Sequence, residues 1–308
     1  MAVKFGVLVL QMMPYEDLLG AVRFAESLGL DNAWVADQLG ITSRPDATFL
    51  EAWTTLAGLA RETNRIRLGP LVSNVAMRNP VMLAKHVLNV DQLSKGRIDL
   101  AIGAGYFPVE HAWAGVPFPD GPARSRRLGE AAAILDRGLR GEHVTFEGEF
   151  FHLADAPMTP APTQLPRVPL YIAGQARASL EVAVKYADVL VTTSFDDAPT
   201  IDQASARIRD RMTVVDELCA TAGRDPASLG RLYSAGYGEE GIFSSTDSMA
   251  DWVGHLVEAG STELCFYLHD PAMGAYDNLA ASGQFASRDA LARLAQDVMP
   301  RYNGPHSD

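Results

Sequence analysis

IRLGPLVSNVAMRNPVMLAKHVLNVDQLSKGRIDLAIGAGY, residues 66–106, reads as a strand, a helix and a second strand in unbroken succession. Residues 66–73 form a short apolar run without helical period. Pro80 opens a segment of helical period that lasts to about Leu93. Proline suits a first helical position, because the N–H it lacks would have found no partner there. The strand pattern returns over 97–101 and runs into the glycines of Gly103-Ala104-Gly105. Strand, helix and strand at this spacing make the unit of a parallel sheet.

The rhythm extends in both directions. Upstream are strands at 4–10 and 32–36 and helices at 17–28, stopped by Gly29, and 53–62. Downstream, a helix at 123–140 precedes residues 143–169, where five prolines break the pattern and VTFEGEFFHL alternates like a hairpin edge. Strands follow at 169–173, 189–192, 231–235 and 263–268. Helices accompany them at 178–186, from about Pro199 to Ala222, at 247–259 and at 288–298. Eight strands alternate with helices and no linker divides them. The expected fold is therefore α/β, a single (β/α)8 TIM barrel over 1–308 with an irregular insertion at about 143–169. No internal repeat of fixed period is present.

Composition narrows the partners. Apolar residues make up 47% and charged residues 21%, an ordinary globular balance. The net charge is −12, from 26 basic and 38 acidic residues. Such a charge repels phosphate backbones and anionic lipid, so neither nucleic acid nor a membrane surface is an expected partner. No apolar run approaches the roughly 18 residues of a bilayer span. MAVKFGVLVLQMMPYED passes from a short apolar run into polar residues, which predicts no secretory leader and a cytoplasmic location. Cys219 and Cys265 sit in apolar patterns and are expected to be buried thiols.

A barrel of this kind works at the C-terminal ends of its strands. Those ends read Gln11-Met12-Met13, Asp37-Gln38, Leu71-Val72-Ser73-Asn74, Gly103-Ala104-Gly105-Tyr106, Gly174-Gln175, Thr192-Thr193-Ser194, Gly236-Tyr237 and His269-Asp270. Only Asp37, His269 and Asp270 offer metal-ligand chemistry, so no metal is expected. Strands four and seven lack the carboxylate pair of a glycosidase, and no strand ends in a lysine for Schiff-base chemistry. Gly103-x-Gly105 falls short of a dinucleotide fingerprint, since Pro108 fills its third glycine position. A tight turn and the close approach of a flat ligand are both open readings there. Ala173-Gly174-Gln175 joins a strand, a glycine turn and a helix N-terminus, which suits an anion; a plain βα turn is the other reading. Together the two glycine ends suggest a cofactor with a flat apolar head and one phosphate.

Residues 68–106, with LGLDNAWVAD (28–37), PLYIAGQARASLEVAVKYAD (169–188) and VEAGSTELCFYL (257–268), resemble the luciferase-like monooxygenase superfamily. The likeness covers most of the chain in the right order, and the insertion fits the branch that uses the deazaflavin coenzyme F420. The family implies a TIM barrel holding F420 or reduced FMN. It implies a non-prolyl cis peptide at Leu71–Val72 against the cofactor ring, with Ser73 and Asn74 facing the ring edge or ribityl chain. Asp37 would lie near the ring or tail, Gly103, Ala104 and Gly105 against the ring, and Ala173, Gly174 and Gln175 around the phosphate. Phe107, Trp113 and Phe118 would form an apolar substrate wall. His111 would make a polar substrate contact, unless it and Glu110 are a solvated helix start. Arg124, Arg126 and Arg127 read as a charged helix face, with the coenzyme's acidic tail as the alternative partner.

Two departures matter. Many relatives have Asp-His after the second strand, where this chain has Gln38, which hydrogen-bonds but does not titrate. Tyr106 stands where the sugar-phosphate dehydrogenase branch has a glutamate. A phenol, with an ordinary pKa near 10, is better placed to donate a proton than to accept one. The resemblance thus implies an F420-dependent oxidoreductase acting on a small molecule, in the reducing direction, with Tyr106 and Gln38 as catalytic candidates. An FMN-dependent monooxygenase is the alternative, and a barrel that holds flavin without turnover is the third reading. The family also implies a homodimer.

Overall fold

The computed structural model describes residues 2–193, 200–236 and 238–302. Pro199, Ser194 and Tyr237, named above, lie outside the described residues. Strand β1 (Lys4–Val9) leads to α1 (Tyr15–Ser27), β2 (Asn32–Val35) to α2 (Ala52–Glu62), and β3 (Arg67–Pro70) with β4 (Ser73–Asn74) to α3 (Pro80–Ser94). β5 (Leu100–Gly103) is followed by α4 (Pro108–Ala114) and α5 (Gly121–Gly138). An antiparallel pair, β6 (Val144–Glu147) and β7 (His152–Ala156), occupies the insertion. Then come β8 (Leu170–Ala173), α6 (Arg177–Tyr186), β9 (Val189–Thr193), α7 (Ile201–Ala222), β10 (Gly230–Ala235), α8 (Thr246–Glu258) and β11 (Glu263–Leu268). The chain finishes with α9 (Asp277–Ala281) and α10 (Arg288–Arg293), whose helical path widens over Leu294–Val298.

The parallel strands lie in the order β3-β2-β1-β11-β10-β9-β8-β5-β4. The two outermost segments, β3 and β4, are consecutive pieces of one strand, parted only by Leu71 and Val72. The sheet therefore closes on itself as an eight-stranded (β/α)8 barrel. At the seam Leu68 N–H donates to Arg97 O and Asp99 N–H to Leu68 O, each at 2.8 Å. This seam corrects two sequence expectations. The third strand, expected unbroken over 66–73, is split; the fourth, expected over 97–101, begins at Leu100. Arg97 is instead a strut, its guanidinium donating to the carbonyls of Ala60, Thr63 and Ile66.

The helices start where the sequence supplies a cap. Asn79 accepts from Val81 N and Met82 N at 2.9 and 3.3 Å, and Pro80 follows it in α3. Lys95 and Gly96, both at positive φ, end the same helix. Cys219 and Cys265 are buried free thiols, as expected.

Register decides what fills the barrel, because paired residues of parallel strands share a face. Trp34 of β2 reaches across the lumen to Tyr171 of β8, ring centroids 5.2 Å apart. Gly69 makes room for it: a Cβ there would stand 2.5 Å from the indole and from Asp99 O. Below this pair, at the N-terminal ends of the strands, the carboxylates of Asp99 and Glu263 are buried but partnered. Lys4 bonds Glu263 at 2.9 Å, Tyr171 OH donates to Glu263, and Arg67 and Asn32 both donate to Asp99. A cleft of about 630 Å³ opens at this lower end between Lys4, Arg67, Arg167 and Glu263. Its ions are spent on one another, so it is the stabilising end of the barrel. On the same face Ala101 lies level with Tyr171, and above them come the small side chains of Gly103, Ala173, Thr193 and Ser234.

Candidate active site

The floor of the mouth gathers residues from three strands. A Cβ on Gly103 would stand 2.7 Å from Val72 Cγ2 and 3.6 Å from the Cβ of Ala173. Glycine at 103 is thus what lets β5 lie flush with its neighbours. The Leu71–Val72 peptide is cis, at the bond the resemblance implied. Gly105, at φ +89°, presses on Asn74, whose amide oxygen would lie 2.6 Å from a Cβ at that position. Val72, Gly103 and Ala173 are therefore neighbours on this floor, with Gly105 against Asn74 beside them.

Asp37 and Ser73 stand behind that surface, not on it. Ser73 Oγ donates to Asp37 Oδ2 at 2.5 Å and accepts from Trp53 Nε1 at 3.2 Å. Arg78 grips the same carboxylate with two bonds, at 2.7 and 2.5 Å, and reaches Glu51 Oε1 at 2.9 Å. Asp37 is held in this pair with its side chain only 6% exposed. Arg78, Glu51 and Trp53 were missed in the sequence because their roles arise from three different loops and helices. His86, also missed, stacks on Trp53; burial first, and the Arg78 charge second, hold its pKa below the ordinary histidine value.

α4 lies across the rim and is pinned to two neighbouring loops. Glu110 Oε1 accepts Leu39 N–H at 2.7 Å, which fixes the loop carrying Asp37 and Gln38. Burial pushes the Glu110 carboxyl above its ordinary value, the Leu39 bond opposes this, and the Asp37 charge adds to it. Asn74 Oδ1 accepts Ala76 N–H, so its amide nitrogen faces His111 Nε2, 3.3 Å away. His111 Nε2 is then the acceptor and Nδ1–H donates to Pro117 O at 2.7 Å. Glu110 and His111 are buried, so the solvated helix start is corrected: both are clamps within the rim. Tyr106 and Trp113 stand exposed on it, Phe107 packing edge-on against Tyr106 at 5.0 Å. Phe118 packs against His111 at 4.9 Å and lies under Arg124. Arg126 pairs with Glu149 and Arg127 donates to Val75 O, so α5 presents the committed charged face that the sequence favours.

The glycine turn after β8 differs in detail from the expectation. Gly174 N–H is spent on Val191 O and Gln175 N–H on Ser179 Oγ, while the Gln175 side chain donates to Thr193 O. The donors left for an anion are one step further on, at Ala176, Arg177 and Ala178, which have no acceptor among the described residues. Gly174 still matters, since a Cβ there would meet Leu180 at 3.1 Å and lift α6 off the turn. α6 is the one described helix with neither a side-chain cap nor an acid in its first turn.

Two further acids follow later strands. Glu239, buried behind the loop after β10, accepts from Tyr233 OH at 2.6 Å and Gly236 N–H at 2.8 Å, and burial pushes its carboxyl up to about 7. Asp270 is held by Arg288 at 2.8 and 3.0 Å, and His269 Nε2 lies 3.0 Å from Asp277 Oδ1. Among the described residues no three metal-ligating side chains converge, and no helix is long and apolar enough to cross a membrane.

Comparison with known proteins follows the same lines. The family model for luciferase-like monooxygenase matches residues 3–238. The chain is 34% identical over 171 residues to an F420-dependent glucose-6-phosphate dehydrogenase of Kineococcus radiotolerans, covering 55% of this chain and 50% of that protein. The enzyme of the same name from Intrasporangium calvum is 31% identical over 234 residues, 71% of this chain and 69% of its own length. The chain spans about half the length of the first of these curated relatives. Among solved structures, the coenzyme F420-dependent tetrahydromethanopterin reductase of Methanopyrus kandleri superposes with a TM-score of 0.78 at 16% identity, covering 98% of this chain and all of that one. An F420-dependent secondary alcohol dehydrogenase, with an F420–acetone adduct bound, gives 0.79 at 20% identity over 99% of this chain and all of its own. At these identities the superpositions speak for the barrel alone.

Proposed function

The chain belongs to the luciferase-like monooxygenase family, and from that premise we propose that it is a coenzyme F420-dependent oxidoreductase that reduces a small organic substrate. The observation that supports this most is the flush floor of Val72, Gly103 and Ala173, joined to a helix N-terminus with open amides. A Cβ at position 103 would collide with Val72 and roughen this floor, so the glycine suits the flat deazaflavin head, and α6 suits its phosphate. The F420-dependent relatives add to this reading over FMN.

When bound, the deazaflavin supplies a hydride from a carbon centre that reacts poorly with dioxygen. The protein's part is placement. Val72, Gly103, Ala104 and Ala173 bear on the ring face, Asn74 and Gly105 on its edge, and the Ala176–Ala178 amides on the phosphate. Asp37, fixed by Arg78, holds Ser73 and the strand-three turn in place from behind. Gln38 orients substrate without taking its proton, and the Tyr106 hydroxyl gives a proton at the rim, to be replaced from water. The enzyme is a single domain over 1–308, a homodimer and cytoplasmic.

Titrating the purified chain with F420 and with FMN, each oxidised and reduced, tests the proposal by fluorescence. Micromolar, saturable binding of F420 alone is expected. Tighter binding of reduced FMN would overturn it and redirect the search to oxygen-consuming reactions. Light scattering that finds a monomer would remove the dimer.

A further inference from the structure

The mouth of the barrel has an unusual balance of charge and apolar surface. In the loops that follow the barrel strands the sequence has two arginines, Arg44 and Arg78, and no lysine. Arg78 is already shared between Asp37 and Glu51, and Arg44 donates to Gly274 O. The same loops carry Asp46, Asp120 and Glu240, while Arg124, Arg126 and Arg127 stand in the first two turns of α5 and Arg177 opens α6. The open amides of α6 offer one anion position, and the coenzyme's own phosphate takes it.

The rim is apolar where a substrate would enter. Leu39 is 52% exposed, Tyr106 65% and Trp113 44%, on two loops that the Glu110–Leu39 bond ties together. A Cβ on Gly40 would lie 3.7 Å from the Trp113 ring, so the second loop reaches the indole. Large side chains exposed together mark a binding surface, and aromatic ones favour flat apolar partners.

We infer that the substrate is an uncharged, apolar molecule with a flat face, seated on Leu39, Tyr106 and Trp113, and not a sugar phosphate. The inference rests on the F420 reading above and sets this chain apart from the dehydrogenases it resembles in sequence. Trp113 reports on it as the difference in emission from Trp113→Ala, since Trp34, Trp53 and Trp252 are buried and common to both.

The test titrates benzylideneacetone, a neutral aromatic enone, and glucose 6-phosphate into the chain with and without F420, by calorimetry and Trp113 emission. Benzylideneacetone is expected to bind saturably and quench Trp113. Trp113→Ala and Leu39→Asp, both at exposed positions, are each expected to weaken the calorimetric Kd at least about fivefold. Glucose 6-phosphate is expected to give no saturable heat. Saturable glucose 6-phosphate binding, or variants that bind the enone as well as the parent, would overturn the inference. So would a concentration-dependent shielding of Trp113 from acrylamide, which would assign the rim to a second copy of the chain. Failure of F420 to bind would remove the function proposed above, while the enone titration of the coenzyme-free chain still decides the substrate class.

Discussion

Asp37 stands where the resemblance implied an acid at the ring or tail, and its bonds point elsewhere. Its two oxygens are taken by Arg78 and Ser73, so the carboxylate acts as a tie between the second and third strand ends. The pair is partly desolvated, which makes the loss of one member costlier than the pair is worth. Arg78→Met is expected to destabilise the chain by about 3 kcal/mol, and adding Asp37→Asn to restore much of that. Urea denaturation of the single and double variants checks this, and equal midpoints for parent and Arg78→Met would refute it. Asp37 and Ser73 were legible in the sequence as residues at strand ends. Arg78 was not, because a residue four positions beyond a strand shows no partner until the loop from Asp37 to Glu51 is folded over it. His111 was misread for a related reason: alone it looks like a ligand contact, and only Asn74 and Pro117 reveal a strut.

At the level of elements, α4 shows how a short helix without a side-chain cap is kept in place. Its seven residues lie below the length at which a helix holds itself together, so its position depends on tertiary bonds. Glu110 supplies one to Leu39 N–H and His111 another to Asn74. Glu110→Ala leaves that amide unpaired and is expected to raise hydrogen exchange at Leu39 at least about tenfold, roughly the loss of one hydrogen bond. Unchanged protection at Leu39 would show that the rim is held by packing alone. Element order and type were readable because strands and helices differ in hydrophobic period. The split of the third strand was not, since the run from Ile66 to Ser73 is uniformly strand-like and its break is set by closure against β5. α4 was legible only as a helix start at Glu110 and His111, because its seven residues give too short a pattern to show a period.

For the whole molecule, pH couples to the fold through Glu239. Its carboxyl titrates near 7 when folded against an ordinary 4.5, because burial opposes its charge. The folded chain thus binds this proton more tightly than the unfolded one. The resulting stabilisation is full below about 4.5 and is lost as pH rises through about 7, up to roughly 3 kcal/mol in all. Glu239→Gln keeps the neutral form, so its advantage over the parent should grow between about pH 5 and about pH 8 in urea midpoints. A constant difference across that range would exclude a titrating Glu239. The barrel itself was legible from eight strand–helix alternations, whereas the division of its two ends was not: nothing in the strand pattern says that Lys4, Asp99 and Glu263 neutralise one another while the opposite end stays lined with small side chains. The closure of that barrel also has a consequence in time. β1 pairs with β11, Lys4 opposite Glu263, so β1 waits for a strand 259 residues further along the chain. Until then that backbone edge is bare and able to join a stranger's sheet, and a closing contact between residues so far apart in sequence favours slow folding.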